Sequence, residues 1–405
     1  MTGMDWDPDL GGSGKLEPTG VRIARARKRR GWTQNGLAAK ANVSRSLIAQ
    51  VESGHKPATP SLVAIVARTC GVDAAEINGQ PYRGSDKRTD AVHAAIPVIR
   101  RALAYADIAP ELEIPPRPLE VLAVEMTALQ KLQGSAAHVA VGSRLPAAIE
   151  ELTIHTLESG LPGAWRLLHH SYALVVSLAR RLGYNDLAHV AIERGAAAAL
   201  RANDPHLQHL VSLSRTTLLL TLGSGDIALT LANRVVNNVD QSTPTGLEVY
   251  GSLHLRAAVS AARMGRASEA WDHHGHAADT VARIAPRDRL DPHGLQLNPA
   301  NVAIHGCALA TELGDYDTAI RLDADFKLPT SLYGERRAHH EIDMARAHLW
   351  LNENDKSLNR VLKAERIAPQ MTRFHPMARE TVRQLGPRYR IVPEKLRALE
   401  ARMAL

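Results

Sequence analysis

The sequence predicts an all-α protein in two parts, a compact block of five short helices followed by a long array of paired helices. Three observations carry this expectation. Runs of alternating apolar and polar residues are scarce, and aromatic residues make up only 4% of the chain. Ala- and Leu-rich stretches set apolar residues at helical spacing, broken by Gly, Pro and Asn-Asp pairs. A turn of one pattern recurs roughly every 40 residues through the larger part.

The elements follow in order. The acidic, Gly-rich residues 1–18 read as a disordered tail. Residues 19–80 read as the compact block. Ile23 and Ala26 give the apolar stripe of a first helix that stops at Gly31. Thr33 is placed to cap a second helix whose inward positions are Leu37 and Ala38. Asn42 tolerates the left-handed turn that follows, and Val43 plugs the core. Ser44 caps a third helix, apolar at Leu47, Ile48 and Val51 and polar or small at Arg45, Ser46, Ala49 and Gln50. That helix ends at Ser53-Gly54, and a fourth and a short fifth are expected over 61–70 and 73–78. Two short helices joined by a tight turn, the second opening on exposed Ser-Arg-Ser, form a helix-turn-helix.

Residues 81–130 are expected to be a helical linker. Over 131–405 the segments LGYNDLA, LGSGDIA, MGRASEA, LGDYDTA and LNENDKS align. Their turn residues Gly183, Gly223, Gly265, Gly314 and Asn352 supply a left-handed helix end. Five positions on stand Ala188, Ala228, Ala270, Ala319 and Ser357, small enough for two helix backbones to approach. A helix pair repeated in this way is the signature of an α-solenoid.

Charge and composition narrow the function. Residues 20–79 hold ten Lys/Arg against Glu52, Asp73 and Glu76, a net of +7, while residues 1–19 carry −3 and the remaining 326 only +3. A dense local positive field suggests a polyanion partner. No stretch approaches the roughly 20 apolar residues that cross a bilayer, so no membrane partner is expected. Two cysteines, Cys70 and Cys307, are too few for a disulfide framework and read as reduced thiols of a cytoplasmic protein.

On these residues the block 20–80 resembles the phage-repressor-like helix-turn-helix family (Cro/C1, or XRE), through its Gly-Ile-Arg spacing, GWTQ, LA, VS and terminal Glu-x-Gly in register. The array behind it is similar to a tetratricopeptide (TPR) type, although its period is longer than the usual 34 and the full consensus is absent. Together the parts resemble actinobacterial regulators of about this length, and the excess of 39 Arg over 10 Lys fits a GC-rich genome. The resemblance implies a double-stranded DNA operator as partner and a bacterial protein at the nucleoid when bound. It implies that Arg45, Ser46, Ala49 and Gln50 read base edges, Arg45 suited to guanine and Gln50 to adenine. Gln34, Ser44, Arg22, Arg25 and Lys56 are the expected phosphate contacts. Arg27 and Glu52 map onto a buried structural pair. Gly36 departs from the family's helix former there, and Asn42 from its turn glycine.

Other signals are weak. GGSGK at 11–15 lacks the first glycine, the Ser/Thr and the strand of a phosphate loop. HHGH at 273–276 sets two histidines three apart, without a cysteine or an HExxH motif, and no metal or cofactor is expected. No catalytic constellation is recognisable, so an enzyme is not expected. The expectation is therefore a sequence-specific transcriptional regulator, a homodimer whose array senses a peptide or small-molecule effector. Around Asn298–Asn301, His305 and 335–343 lie the candidate effector contacts. The alternative is an interaction scaffold or peptide receptor that uses the helix-turn-helix only for recruitment to DNA.

Overall fold

The computed structural model describes residues 17–82, 90–105, 107–284, 291 and 293–405, all helical or loop. Most of the expected tail and the GGSGK motif lie outside the described residues. The N-terminal domain comprises α1 (Thr19–Arg29), α2 (Gln34–Ala41), α3 (Arg45–Glu52), α4 (Pro60–Cys70) and α5 (Ala74–Asn78). Each interior helix starts where a hydroxyl can stand in for a missing helical acceptor. Thr33 Oγ1 accepts from the Gly36 amide at 3.1 Å, Ser44 Oγ from Leu47 at 3.1 Å and Thr59 Oγ1 from Leu62 at 3.2 Å. Asn42 ends α2 at φ 52°, and Gly71 ends α4 at φ 62°. The helices enclose Ile23, Leu37, Ile48, Val51, Leu62, Val66 and Ile77 in a core of their own. Gly20 is required by contact: a Cβ there would stand 2.0 Å from the Val51 carbonyl oxygen, so α1 and α3 touch backbone to backbone.

The segment expected to be a linker belongs instead to the body. It contributes α6 (Ile96–Tyr105) and α7 (Leu119–Gly134). Ile96, Ile99, Leu103, Leu122 and Leu129 are fully buried in the main core with residues of α8 (His138–Ser159). Their apolar faces have nowhere else to go, and burying them makes these helices the first layer of the array.

Five helix pairs follow: α9 (Pro162–Leu182) with α10 (Asn185–Arg201), α11 (Pro205–Thr221) with α12 (Gly225–Val236), and α13 (Pro244–Arg263) with α14 (Ala267–Arg283). The last two are α15 (Pro299–Leu313) with α16 (Tyr316–Ala324), and α17 (Gly334–Trp350) with α18 (Asn354–Ile367). All five turn residues are left-handed, Gly183, Gly223, Gly265, Gly314 and Asn352 having φ between 60° and 89°. The small residues behind them, Ala188, Ala228, Ala270, Ala319 and Ser357, are all 0% exposed. Turn and small residue thus act together, one reversing the chain and the other letting the returning helix close on its partner.

Helices α19 (Pro369–Phe374), α20 (Pro376–Leu385) and α21 (Glu394–Met403) cover the last pair, burying Val382, Leu385, Leu396 and Leu399. First helices pack on one another in succession, and second helices make no comparable contact, so α9, α11, α13, α15 and α17 line the inner face of the curve. The curve comes round far enough for α17 to reach α7 and for Arg181 at the end of α9 to pair with Glu335 at the start of α17. Among the described residues no helix is long and apolar enough to cross a membrane.

Candidate nucleic-acid interface

The two helices of the helix-turn-helix are α2 and α3, held at their crossing by Glu52. Arg27 on α1 reaches it with Nε at 2.7 Å from Oε1 and a terminal nitrogen at 2.9 Å from Oε2. Gln34 Nε2, at the start of α2, donates to Oε2 at 2.9 Å. Burial pushes the Glu52 carboxyl up, but the hydrogen bonds from Arg27 and Gln34 more than offset it and hold it below the usual carboxylate range. Three helices are thereby tied to one buried carboxylate. Its consequence for Gln34, an expected phosphate contact, is that its amide is already engaged within the protein.

The start of α3 points outward. Arg45 and Ser46 are exposed, and Arg45 has no partner among the described residues. Ser44 is exposed too, its hydroxyl occupied by the Leu47 amide, and Ile48 donates to the Ser44 carbonyl. The free amides of this first turn and the helix dipole favour an anion here. Ala49 and Gln50 lie one turn on and are half-buried. Gln50 Nε2 donates to Ser46 Oγ at 2.9 Å, so a bidentate pair with adenine would require that bond to open. His55, beyond the end of α3, is exposed and its Nδ1 lies 2.6 Å from Ser53 Oγ.

The basic charge of α1 is spent differently from the expectation. Arg22, expected on phosphate, is buried and donates to the Ile77 carbonyl at 3.1 Å and to the Glu17 carbonyl. Burial also lowers its pKa. It joins α1 to α5, because a guanidinium on that face meets the unsatisfied carbonyls of the α5 end sooner than solvent. Arg25 remains exposed but pairs with Glu17. Arg29 bonds Glu76 at 2.7 Å, and Arg30 Nε donates to the Cys70 carbonyl at 2.6 Å. Much of the local charge excess is therefore stapling helices. The sequence alone could not assign these partners, which stand 40 to 55 residues away for Arg30, Arg29 and Arg22.

The body also holds the domain. Lys56, expected on phosphate, lies with Nζ 5.7 Å from the Trp350 ring centroid. Gln80 Nε2 donates to the Arg181 carbonyl at 3.2 Å, and the Arg379 guanidinium covers the Tyr82 ring at 4.2 Å. Ala64 approaches Gly223 so closely that a Cβ on that glycine would stand 3.0 Å from it. Nothing in the sequence singled out Trp350, Tyr82 or Arg379. The exposed start of α3 stays clear of all these contacts.

The histidine-rich segment is packed rather than open. His273 Nδ1 lies 2.9 Å from His254 Nδ1, and His274 Nε2 lies 2.9 Å from the Val302 carbonyl. Among the described residues no group of three or more His, Cys, Asp or Glu is arranged to hold a metal ion. Of the candidate effector contacts, Asn298 caps α15 by accepting from the Asn301 amide at 3.0 Å, and His305 Nδ1 lies 2.7 Å from the Asn301 carbonyl. Both are taken up by the helix they belong to.

Residues 20–78 match a helix-turn-helix domain family, so the chain carries this DNA-binding fold at its N-terminus. No curated protein matches the chain significantly. Among solved structures, it is similar to Bacillus thuringiensis PlcR, solved in complex with the peptide PapR7 and DNA. That similarity has 12% identity and a TM-score of 0.31, over 87% of this chain and 99% of PlcR. A likeness so remote carries no weight for ligand or partner.

Proposed function

We propose that this protein is a sequence-specific, non-enzymatic transcriptional regulator that binds operator DNA as a dimer and answers to an effector held by its helical array. The exposed start of α3, with Arg45 unpartnered among the described residues, carries the reading. It presents Arg45 and Ser46 beyond a capped helix end on a domain of the helix-turn-helix family. In such domains the N-terminal residues of the second helix reach base edges in the major groove. Arg45 is the guanine-reading candidate, and Ala49 and Gln50 face the next base pairs. In this reading the free amides at the start of α3 meet phosphate, and Ser44, Arg25 and Lys56 join them as their contacts with Leu47, Glu17 and Trp350 open.

A single domain of about 60 residues buries too little surface for tight specific binding, which favours two copies on half-sites one helical turn apart. The array supplies the area for that association. The test pairs light scattering with duplex titration of the full chain. A dimer at micromolar concentration, with specific binding that weakens steeply as salt rises, is expected. A monomer that binds all duplexes alike would contradict the reading and favour a scaffold that meets DNA only loosely.

A further inference from the structure

The inner face of the array holds more positive charge than its own carboxylates balance. Arg180 and Arg181 come from the end of α9, Arg256 and Arg263 from α13, and Arg336 from the start of α17. These helices are not sequence neighbours, and the curvature of the stack brings Arg180, Arg181, Arg256 and Arg336 near one residue, Glu335. Arg263 shares Glu312 with Arg346, and Arg346 also has Asp343, so that group is balanced. Among the described residues the other four arginines have two carboxylates near them, Glu335 and Asp291, and Asp291 acts on Arg336 alone. Glu335 pairs with Arg181 and lies 3.8 Å from Arg336. Arg180 and Arg256 have no hydrogen-bond or ion-pair partner among the described residues, though both are half-buried. Arg181 Nε is buried and also lacks a hydrogen-bond partner.

Burial lowers the pKa of Arg180 and of Arg256 to about 9, and each is lowered further by the neighbouring arginines. A folded chain gains nothing from crowding four guanidinium groups around two carboxylates in a partly desolvated space. Packing does not require it either, since the aliphatic stems would serve as well on a neutral side chain. Unbalanced groups of this kind gather where a ligand completes them.

We propose that this cluster is a binding site for a small anion carrying two or more negative charges, of the phosphate or polycarboxylate type. Guanidinium groups suit both, because each offers two parallel N–H donors to two oxygens of one anionic group. Arg180 and Arg256 are the primary contacts, Arg336 the third, and Arg181 releases one of its bonds with Glu335 to join them. The site bridges α9, α13 and α17, so an occupant ties the two ends of the curve together. That this occupant is the effector rests on the regulatory reading above; that the site binds an anion does not.

The experiment is thermal melting of the full-length protein with pyrophosphate or citrate, the ionic strength held constant with sodium chloride. Wild-type protein is expected to gain about 3 °C or more, saturating with concentration. Arg45→Ala should gain as much, since Arg45 stands outside this cluster. Arg180→Gln with Arg256→Gln should lose the gain and, without anion, melt no lower than wild type, because repulsion has been relieved. Arg180→Lys with Arg256→Lys keeps the charge and should retain part of the gain at higher concentration. A larger response to pyrophosphate identifies a phosphate ligand, and a larger response to citrate a polycarboxylate. No gain in wild type with either anion, or an equal gain in the Gln double variant, would overturn the proposal. Failure of the protein to bind any DNA duplex would leave this result untouched, so the two readings fail separately.

Discussion

Replacing Arg27 by methionine should destabilise the N-terminal domain by about 3–5 kcal/mol, because it strands Glu52. The Glu52 side chain is 7% exposed and that of Arg27 10%, so water cannot take over the lost partner without opening the domain. Arg27 supplies bonds at 2.7 and 2.9 Å and leaves only the Gln34 amide, at 2.9 Å, to hold the carboxylate. The same guanidinium donates to the Trp32 carbonyl at 2.6 Å, so the turn between α1 and α2 loosens as well. Removing both charges is a different perturbation. Arg27→Met with Glu52→Leu buries no ion, and should cost about 1–2 kcal/mol, mostly through the unpaired Trp32 carbonyl and Gln34 amide. Hydrogen exchange of the α3 amides in the full-length protein reads the local stability, since this domain has its own core. The pH dependence has a definite sign. The folded pKa of Glu52 lies below the usual carboxylate value, so the pair's stabilisation is complete above that range and is lost as pH falls through it. The gap between wild type and Arg27→Met should therefore narrow below about pH 4. A single variant within about 1 kcal/mol of wild type, or a double variant as costly as the single, would refute the reasoning.

Two further outcomes follow from the body. Ala319→Leu, at a site 0% exposed and packed among Cys307, Ala310, Met344 and Ala347, should cost about 1–3 kcal/mol by overpacking, and an unchanged melting temperature would refute the close-approach role. His138 is buried without a hydrogen-bond partner on either ring nitrogen, and burial holds its pKa down to about 3. The unfolded chain therefore binds the extra proton, and stability declines by about 1.4 kcal/mol per pH unit as pH falls below roughly 6.5. His138→Leu should remove that share of the slope in an acid melting series, and an identical slope would contradict the assignment.

Local chemistry was the legible part of this fold. Thr33, Ser44 and Thr59 cap their helices because a hydroxyl before an amphipathic run satisfies amides nearby in sequence, although Thr59 was not singled out. Gly183 and its four equivalents are left-handed, and the small residues behind them are buried, since both requirements lie within one turn. Long-range pairing was not legible. Arg22 reads as a surface cation until α5 folds back and presents the Ile77 carbonyl. Residues 81–130 read as a linker because their apolar stripes name no partner, whereas in the structure those stripes form the first layer of the body's core. The arginines of α9, α13 and α17 are ordinary helix-face residues in sequence, and only the curvature of the stack collects them. At the interface, the exposure of Arg45 and Ser46 follows from the cap at Ser44, while the hold of Trp350 on Lys56 depends on domain docking.

The central claim is that the start of α3 reads base sequence, and selection of bound duplexes from a random pool tests it most directly. Full-length wild-type protein should enrich a motif of two half-sites about one helical turn apart, each with a preferred guanine. Arg45→Ala should keep the spacing, lose the preference at that one position and bind the selected motif about 1–3 kcal/mol more weakly. Enrichment of no motif by the wild type, or of the same motif with the same guanine by Arg45→Ala, would contradict the account.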